Sequence, residues 1–90
     1  LHIDPRSQRA WVGGDELPLT ARELALLVLL LRHRGRVFSR AQIQQRISDS
    51  ENLASDRGIE VLVHGVRRKL EQAGITDLIH NRRGAGYLIP

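Results

Sequence analysis

Eight consecutive apolar residues, "LALLVLLL" at positions 24–31, constrain this chain more than anything else in it. They follow "TARE", in which Thr20 and Glu23 stand at the spacing of a capping box, so the run opens as a helix. It closes in "RHRG", with cations over the last carbonyls and Gly35 where a left-handed residue is wanted. Leu24, Leu27, Leu30 and Leu31 form a core stripe, and Leu26, Val28 and Leu29 widen it around most of the circumference. A membrane span needs about 20 apolar residues, and this run is far shorter. Such a helix must be central, with the rest of the chain wrapped around it.

The 90 residues suffice for one domain and not for two. With one Trp, one Tyr and one Phe, the core must be mainly aliphatic. The absence of cysteine excludes disulfides and thiolate metal sites and fits a reducing compartment. No signal or transit segment is visible, and a chain that opens on Leu and contains no Met is expected to be a piece of a longer protein.

Residues 1–19 read as short strands, "LHIDP" and "RAWV", then a "GGD" hairpin turn into "ELPL", with Pro5 and Pro18 at strand edges. The first helix spans 20–35. After the extended "VFS", a second capping box from Ser39 to Gln42 starts a short helix, 39–48, with Ile43 and Ile47 facing inward. The acidic, polar stretch from Asp49 reads as a loop over 49–54. A third helix, 55–74, places Ile59, Leu62, Val63, Val66 and Leu70 on one side. Arg57, Val61, His64 and Arg68 fall on the other, flanked by Glu60, Gly65, Arg67 and Glu71. The chain ends in a hairpin over 78–89, with Arg82 and Arg83 at its tip and Tyr87 expected in the core. Strands, three helices and a terminal hairpin make an α+β winged helix-turn-helix, in which the third helix enters a major groove and the hairpin is the wing.

Net charge is +4, and all but one of the basic residues are arginine. A basic surface favours polyanions through field steering and counterion release. The four histidines (2, 33, 64 and 80) lack metal-ligand spacing, and no Ser-His-acid set can be placed in a cleft. No catalytic residue, metal or cofactor is therefore assigned.

Three segments together carry a family resemblance: "LPLTARELALLVLLLRHRGRVFSRAQI", "SDRGIEVLVHGVRRKL" and "RRGAGYLI". In this order and spacing the chain resembles the DNA-binding effector domain of OmpR/PhoB-type response regulators over nearly all of its length. The resemblance implies a cytoplasmic transcription factor that binds double-stranded DNA as a dimer on direct repeats, the isolated domain being a monomer. It also implies a receiver domain, absent from this chain, that a histidine kinase phosphorylates, and a loop between the second and third helices (Asp49, Ser50, Glu51, Asn52) that touches RNA polymerase.

Arg57, Arg67 and Arg68 are the expected phosphate or base-edge contacts of the recognition helix, unless that face is merely solvated. His64 is placed to donate to a phosphate or base, and Val61 suits a thymine methyl. Glu60 either accepts from a cytosine amino group or orients Arg57 or His64. Gly65 falls at an outward position that in the resembled family often carries a base-reading side chain. Arg83 matches the family's wing arginine, suited to a narrow A·T-rich minor groove, and Arg82 stands beside it for a flanking phosphate. Edge protection by charge is the alternative for both. Arg40 and Asn81 are second-rank phosphate candidates. The competing class is a winged helix that docks on a protein without sequence-specific DNA binding.

Overall fold

The computed structural model describes residues 1–47 and 56–90, with side chains in the second stretch described from Gly58 onward. The elements are β1 (His2–Asp4), β2 (Arg9–Val12), β3 (Asp15–Leu17), α1 (Ala21–Arg32), α2 (Arg40–Ile47), α3 (Asp56–Gln72), β4 (His80–Arg82) and β5 (Gly86–Leu88). β1, β2 and β3 form an antiparallel meander, and β4 and β5 an antiparallel hairpin. This is the expected α+β winged helix-turn-helix order.

Both capping boxes form. Thr20 Oγ1 accepts the Glu23 N–H at 3.2 Å while Glu23 Oε1 accepts the Thr20 N–H at 2.8 Å. Ser39 Oγ accepts the Gln42 N–H at 3.1 Å, and Gln42 Oε1 the Ser39 N–H at 2.9 Å. Each box satisfies two backbone donors that a helix start leaves without intrahelical partners. Thr20 and Ser39 are therefore caps, and their helices begin one residue later than the sequence suggests.

The C-terminal ends depart further. α1 stops at Arg32, and Gly35, though left-handed at φ +84°, does not close the helix. Its N–H donates to the Ile89 carbonyl at 2.7 Å, and Arg34 Nε donates to the Pro90 carbonyl at 3.0 Å. Gly35 thus turns the chain onto its own C-terminal strand. At the end of α3 the expected closure does occur on Gly74, although the last helical residue is Gln72. The Gly74 N–H reaches the Glu71 carbonyl at 2.9 Å and the Ile75 N–H the Leu70 carbonyl at 2.8 Å, the two bonds of a Schellman motif. The wing's paired strands are also shorter than 78–89, because Leu78 and Ile79 precede the pairing.

Leu24, Leu26, Leu27 and Leu30 of α1 are buried against Ile59, Val63, Val66 and Leu70 of α3, with Phe38, Ile43, Ile79, Tyr87 and Ile89 completing the core. Leu31, expected in the stripe, is only half-buried. It lies in the last turn of α1, beside Leu1, Ile3, Pro5 and Val28 at an open apolar corner.

The α1–α3 contact holds one buried charge. Glu23 is 7% exposed, and the Oε1 that caps α1 also accepts Lys69 Nζ at 2.5 Å. Lys69 is the only lysine in the chain. A Cβ added to Gly65 would stand 2.8 Å from Glu23 Oε2, so Gly65 faces α1 and not solvent. Its placement as an outward, base-reading position is thereby corrected: Gly65 and Lys69, four apart, share the flank that closes on α1. Burial pushes the Glu23 carboxyl up, but Lys69 and the Thr20 backbone and hydroxyl outweigh it and hold the carboxyl below its ordinary value.

The wing is fastened by a second device. Phe38 and Tyr87 exchange both backbone hydrogen bonds at 2.9 Å. For the strands to come this close, residue 86 must lack a side chain, since a Cβ on Gly86 would lie 1.9 Å from the Phe38 carbonyl oxygen, at φ +143°. Gly86→Ala should therefore lower the unfolding free energy by more than about 3 kcal/mol in urea titration. Gly84→Ala, at φ +76° with nothing within 4 Å, should cost only about 1 kcal/mol. For Glu23 the folded carboxyl value is depressed, so its contribution is present above the ordinary value of 4.5 and is lost as pH falls through the folded one. The stability difference between wild type and Glu23→Gln should be largest at neutral pH and shrink on acidification below 4.5.

Candidate nucleic-acid interface

Because α3 buries the Ile59–Val63–Val66–Leu70 stripe, the opposite side of the helix is free. Val61, His64 and Arg68 lie along it at helical spacing, all exposed, and Val61 is 66% exposed. An apolar side chain so open, in a charged face, has no packing role in the domain. Arg57 belongs to the first turn of α3, with its side chain outside the described residues. Asp49, Ser50, Glu51 and Asn52 also lie outside the described residues.

The wing stands beside this face. Arg82 is the last residue of β4, opposite Gly86, and Arg83 opens the turn, which the Ala85 N–H closes on the Arg82 carbonyl at 2.9 Å. Both arginines are exposed. A groove runs between the start of α2 and the wing, lined by Ser39, Arg40, Ala41, Arg82 and Arg83. Three arginines predicted from separate parts of the sequence thus surround one groove. Ser39 and Ala41 carry no functional signal in the sequence, since the spacing of Ser39 explains it as a cap and Ala41 is a small apolar residue.

Arg40 is not a free cation. Its Nη1 donates to the Glu60 carboxylate, tying α2 to α3. Glu60, expected to accept from a cytosine or to orient Arg57 or His64, is met by Arg40 from the start of α2. The pair joins residues 20 apart in sequence, which no helical spacing reveals.

Arg67 and Asn81, each expected to reach DNA, touch one another. Arg67 Nη2 donates to the Ile79 carbonyl at 2.8 Å and to Asn81 Oδ1. Its guanidinium lies 5.9 Å from the Tyr87 ring centroid, within cation–π range. Lys69, the remaining cation of this helix, is turned inward onto Glu23. On the described part of α3 the exposed positive charge is that of Arg68, beside the exposed carboxylates Glu60 and Glu71, and on the wing it is that of Arg82 and Arg83.

Among the described residues no group of three or more His, Asp or Glu is placed to hold a metal ion, and no helix is long and apolar enough to cross a membrane.

Known proteins place this geometry. The family described as "Transcriptional regulatory protein, C terminal" matches residues 14–89. The response regulator PmrA of Pseudomonas aeruginosa is 39% identical over 87 residues, which is 97% of this chain and 38% of that protein. The chain thus spans well under half the length of this curated relative. The DNA-binding domain of the response regulator AdeR, in complex with an intercistronic region, superposes with a TM-score of 0.90 at 26% identity, over 98% of this chain and 90% of that one. The Klebsiella pneumoniae RstA DNA-binding domain, in complex with the RstA box, matches with a TM-score of 0.80 at 26% identity, over 97% and 87%.

The Arg40–Glu60 pair is half-exposed, with side chains 42% and 53% accessible. Water and salt screen a pair of this kind, so a double-mutant cycle (Arg40→Ala, Glu60→Ala) should give a coupling in the free domain of about 0.5 kcal/mol, shrinking as salt rises.

Proposed function

The chain belongs to the family of C-terminal domains of transcriptional regulatory proteins, the DNA-binding domains of response regulators, and from that membership we propose how this domain binds an operator. α3 lies in the major groove of double-stranded DNA and Arg83 enters the adjacent minor groove. The observation that carries this is the exposed line Val61–His64–Arg68 on α3, next to a wing that presents Arg82 and Arg83 to solvent.

A major groove about 12 Å wide admits a helix with three or four side chains against the base edges. Val61 meets a thymine methyl there, burying apolar surface that the free domain leaves in water. Arg68 takes a guanine edge or a phosphate, His64 donates to a base or phosphate, and Arg57 contacts the backbone at the start of the helix. Arg83 exploits the negative potential of a narrow A·T-rich minor groove, with Arg82 on the flanking phosphate. Arg40, across the groove from the wing, keeps its Nη1 on Glu60 and turns its exposed remaining donors to a phosphate. That the AdeR and RstA domains are held in DNA complexes supports the same partner for this chain.

On this reading the full-length regulator is cytoplasmic and carries a receiver domain phosphorylated by a cognate histidine kinase. It dimerises on direct repeats, and residues 49–52 form a contact for RNA polymerase.

Selection of the domain on a randomised duplex pool at moderate salt tests the proposal. It should enrich a short motif, repeated in one orientation about one helical turn apart. Absence of any retention at low salt would overturn DNA binding in favour of protein docking. On the enriched motif, Arg83→Ala should cost about 1–3 kcal/mol with A·T flanks and less with G·C flanks. Equal losses on the two would remove Arg83 from the minor groove.

A further inference from the structure

The hydrogen bonds of Arg67 point to a role different from that of its neighbour Arg68. We propose that Arg67 is a positioning residue: through Ile79 and Asn81 it sets the attitude of the wing relative to α3, and does not itself contact phosphate. The proposal rests on the DNA-binding reading above for its functional consequence, and on the structure for its geometry.

Arg67 sits on the flank of α3 next to the wing, half-buried, while Arg68 is exposed. Its Nη2 serves two acceptors, the Ile79 carbonyl at 2.8 Å and Asn81 Oδ1. Ile79 is 3% exposed and immediately precedes β4, so its carbonyl is a backbone acceptor with little access to water. Asn81 lies two residues on, in register with Tyr87 of β5, and the Tyr87 ring lies 5.9 Å from the guanidinium. One guanidinium therefore meets the approach to β4 and the middle of β4 through Nη2, and the side chain of the β5 partner through its flat surface. An ammonium, a point charge on a flexible stem, does not combine such hydrogen bonds with a flat contact to a ring.

Among the described residues the other backbone hydrogen bonds that tie the hairpin to the rest of the domain lie on its β5 side, the Phe38–Tyr87 exchange and the Gly35–Ile89 bond. A hairpin fixed along one strand can still tilt about it. The Arg67 contacts fix the other strand, and they do so from the helix that reads the major groove. The distance between Val61–His64–Arg68 and Arg83, which must match the step from major to minor groove, is thus set at Arg67. Donors engaged in this way leave the guanidinium poorly placed to displace a counterion from phosphate.

The test compares Arg67→Ala and Asn81→Ala, each alone and combined with Arg83→Ala. Binding is measured on the selected motif with A·T or G·C at the wing flank, over a salt series, and amide hydrogen exchange is followed in the free domain. Asn81→Ala retains the Ile79 bond and serves if Arg67→Ala fails to fold. The expected result is about a tenfold loss on the A·T-flanked duplex, little further loss once Arg83 is absent, an unchanged salt slope, and faster exchange in β4 and β5 but not in α1. A salt slope lower by about one unit, with a loss that adds to that of Arg83→Ala, would make Arg67 a phosphate contact and overturn the proposal. Equal loss on both duplexes with unchanged wing exchange would overturn it as well. If Arg83→Ala alone shows no preference between flanks, the minor-groove assignment fails, and the exchange data then decide the positioning role by themselves.

Discussion

The carboxylate of Glu23 is the point on which the two long helices agree. It closes the capping box of α1 and, from the same oxygen, receives Lys69 of α3. Its other oxygen lies over Gly65, where any side chain would have to displace it. Buried ion pairs add little net stability once desolvation is counted, but breaking one is expensive, which makes them better at fixing an arrangement than at strengthening it. Here the arrangement fixed is the rotation of α3 about its axis. With Lys69 and Gly65 turned to α1 and Val63 and Val66 to the core, Val61, His64 and Arg68 have nowhere to point but outward.

From that junction the remaining order follows. α1 supplies the apolar surface, α3 lies across it, and α2 is held to α3 at its exposed edge by Arg40 and Glu60. The C-terminal strand returns past Phe38 and Gly35, so the last residues of the chain reinforce the entrance to α2 and the exit from α1. A stem pinned so closely contrasts with a tip of two exposed arginines and a glycine, where no side chain has a structural duty.

Local signals in the sequence are legible because their causes are local. Thr20–Glu23 and Ser39–Gln42 form the boxes their spacing implies, the three helices fall in the expected order, and Tyr87 is core. The sequence is silent where a second element decides. A hydrophobic stripe defines one side of a helix only to within an arc of about 100°, and residues 65 and 69 sit at its margin, so whether they face water or a neighbouring helix depends on α1. Gly35 has the left-handed conformation its position suggested, yet its N–H is claimed by Ile89, 54 residues away by number (89 − 35). In the free domain Glu60 pairs with Arg40, and Arg67 bonds Asn81, across separations that carry no periodicity. The candidate interface was therefore legible as a list of cations and not as a division between those that face outward and those that hold the scaffold.

The bond between Arg67 and Asn81 bears on how domains of this kind exchange their reading heads. A recognition helix transplanted alone into another such scaffold would arrive without its amide acceptor, and a wing transplanted alone would arrive without its guanidinium. The smallest piece that carries its own geometry is the continuous segment from α3 through β4. Chimeras cut after residue 82 keep that pair intact, whereas cuts in the turn at 74–78 separate its two halves.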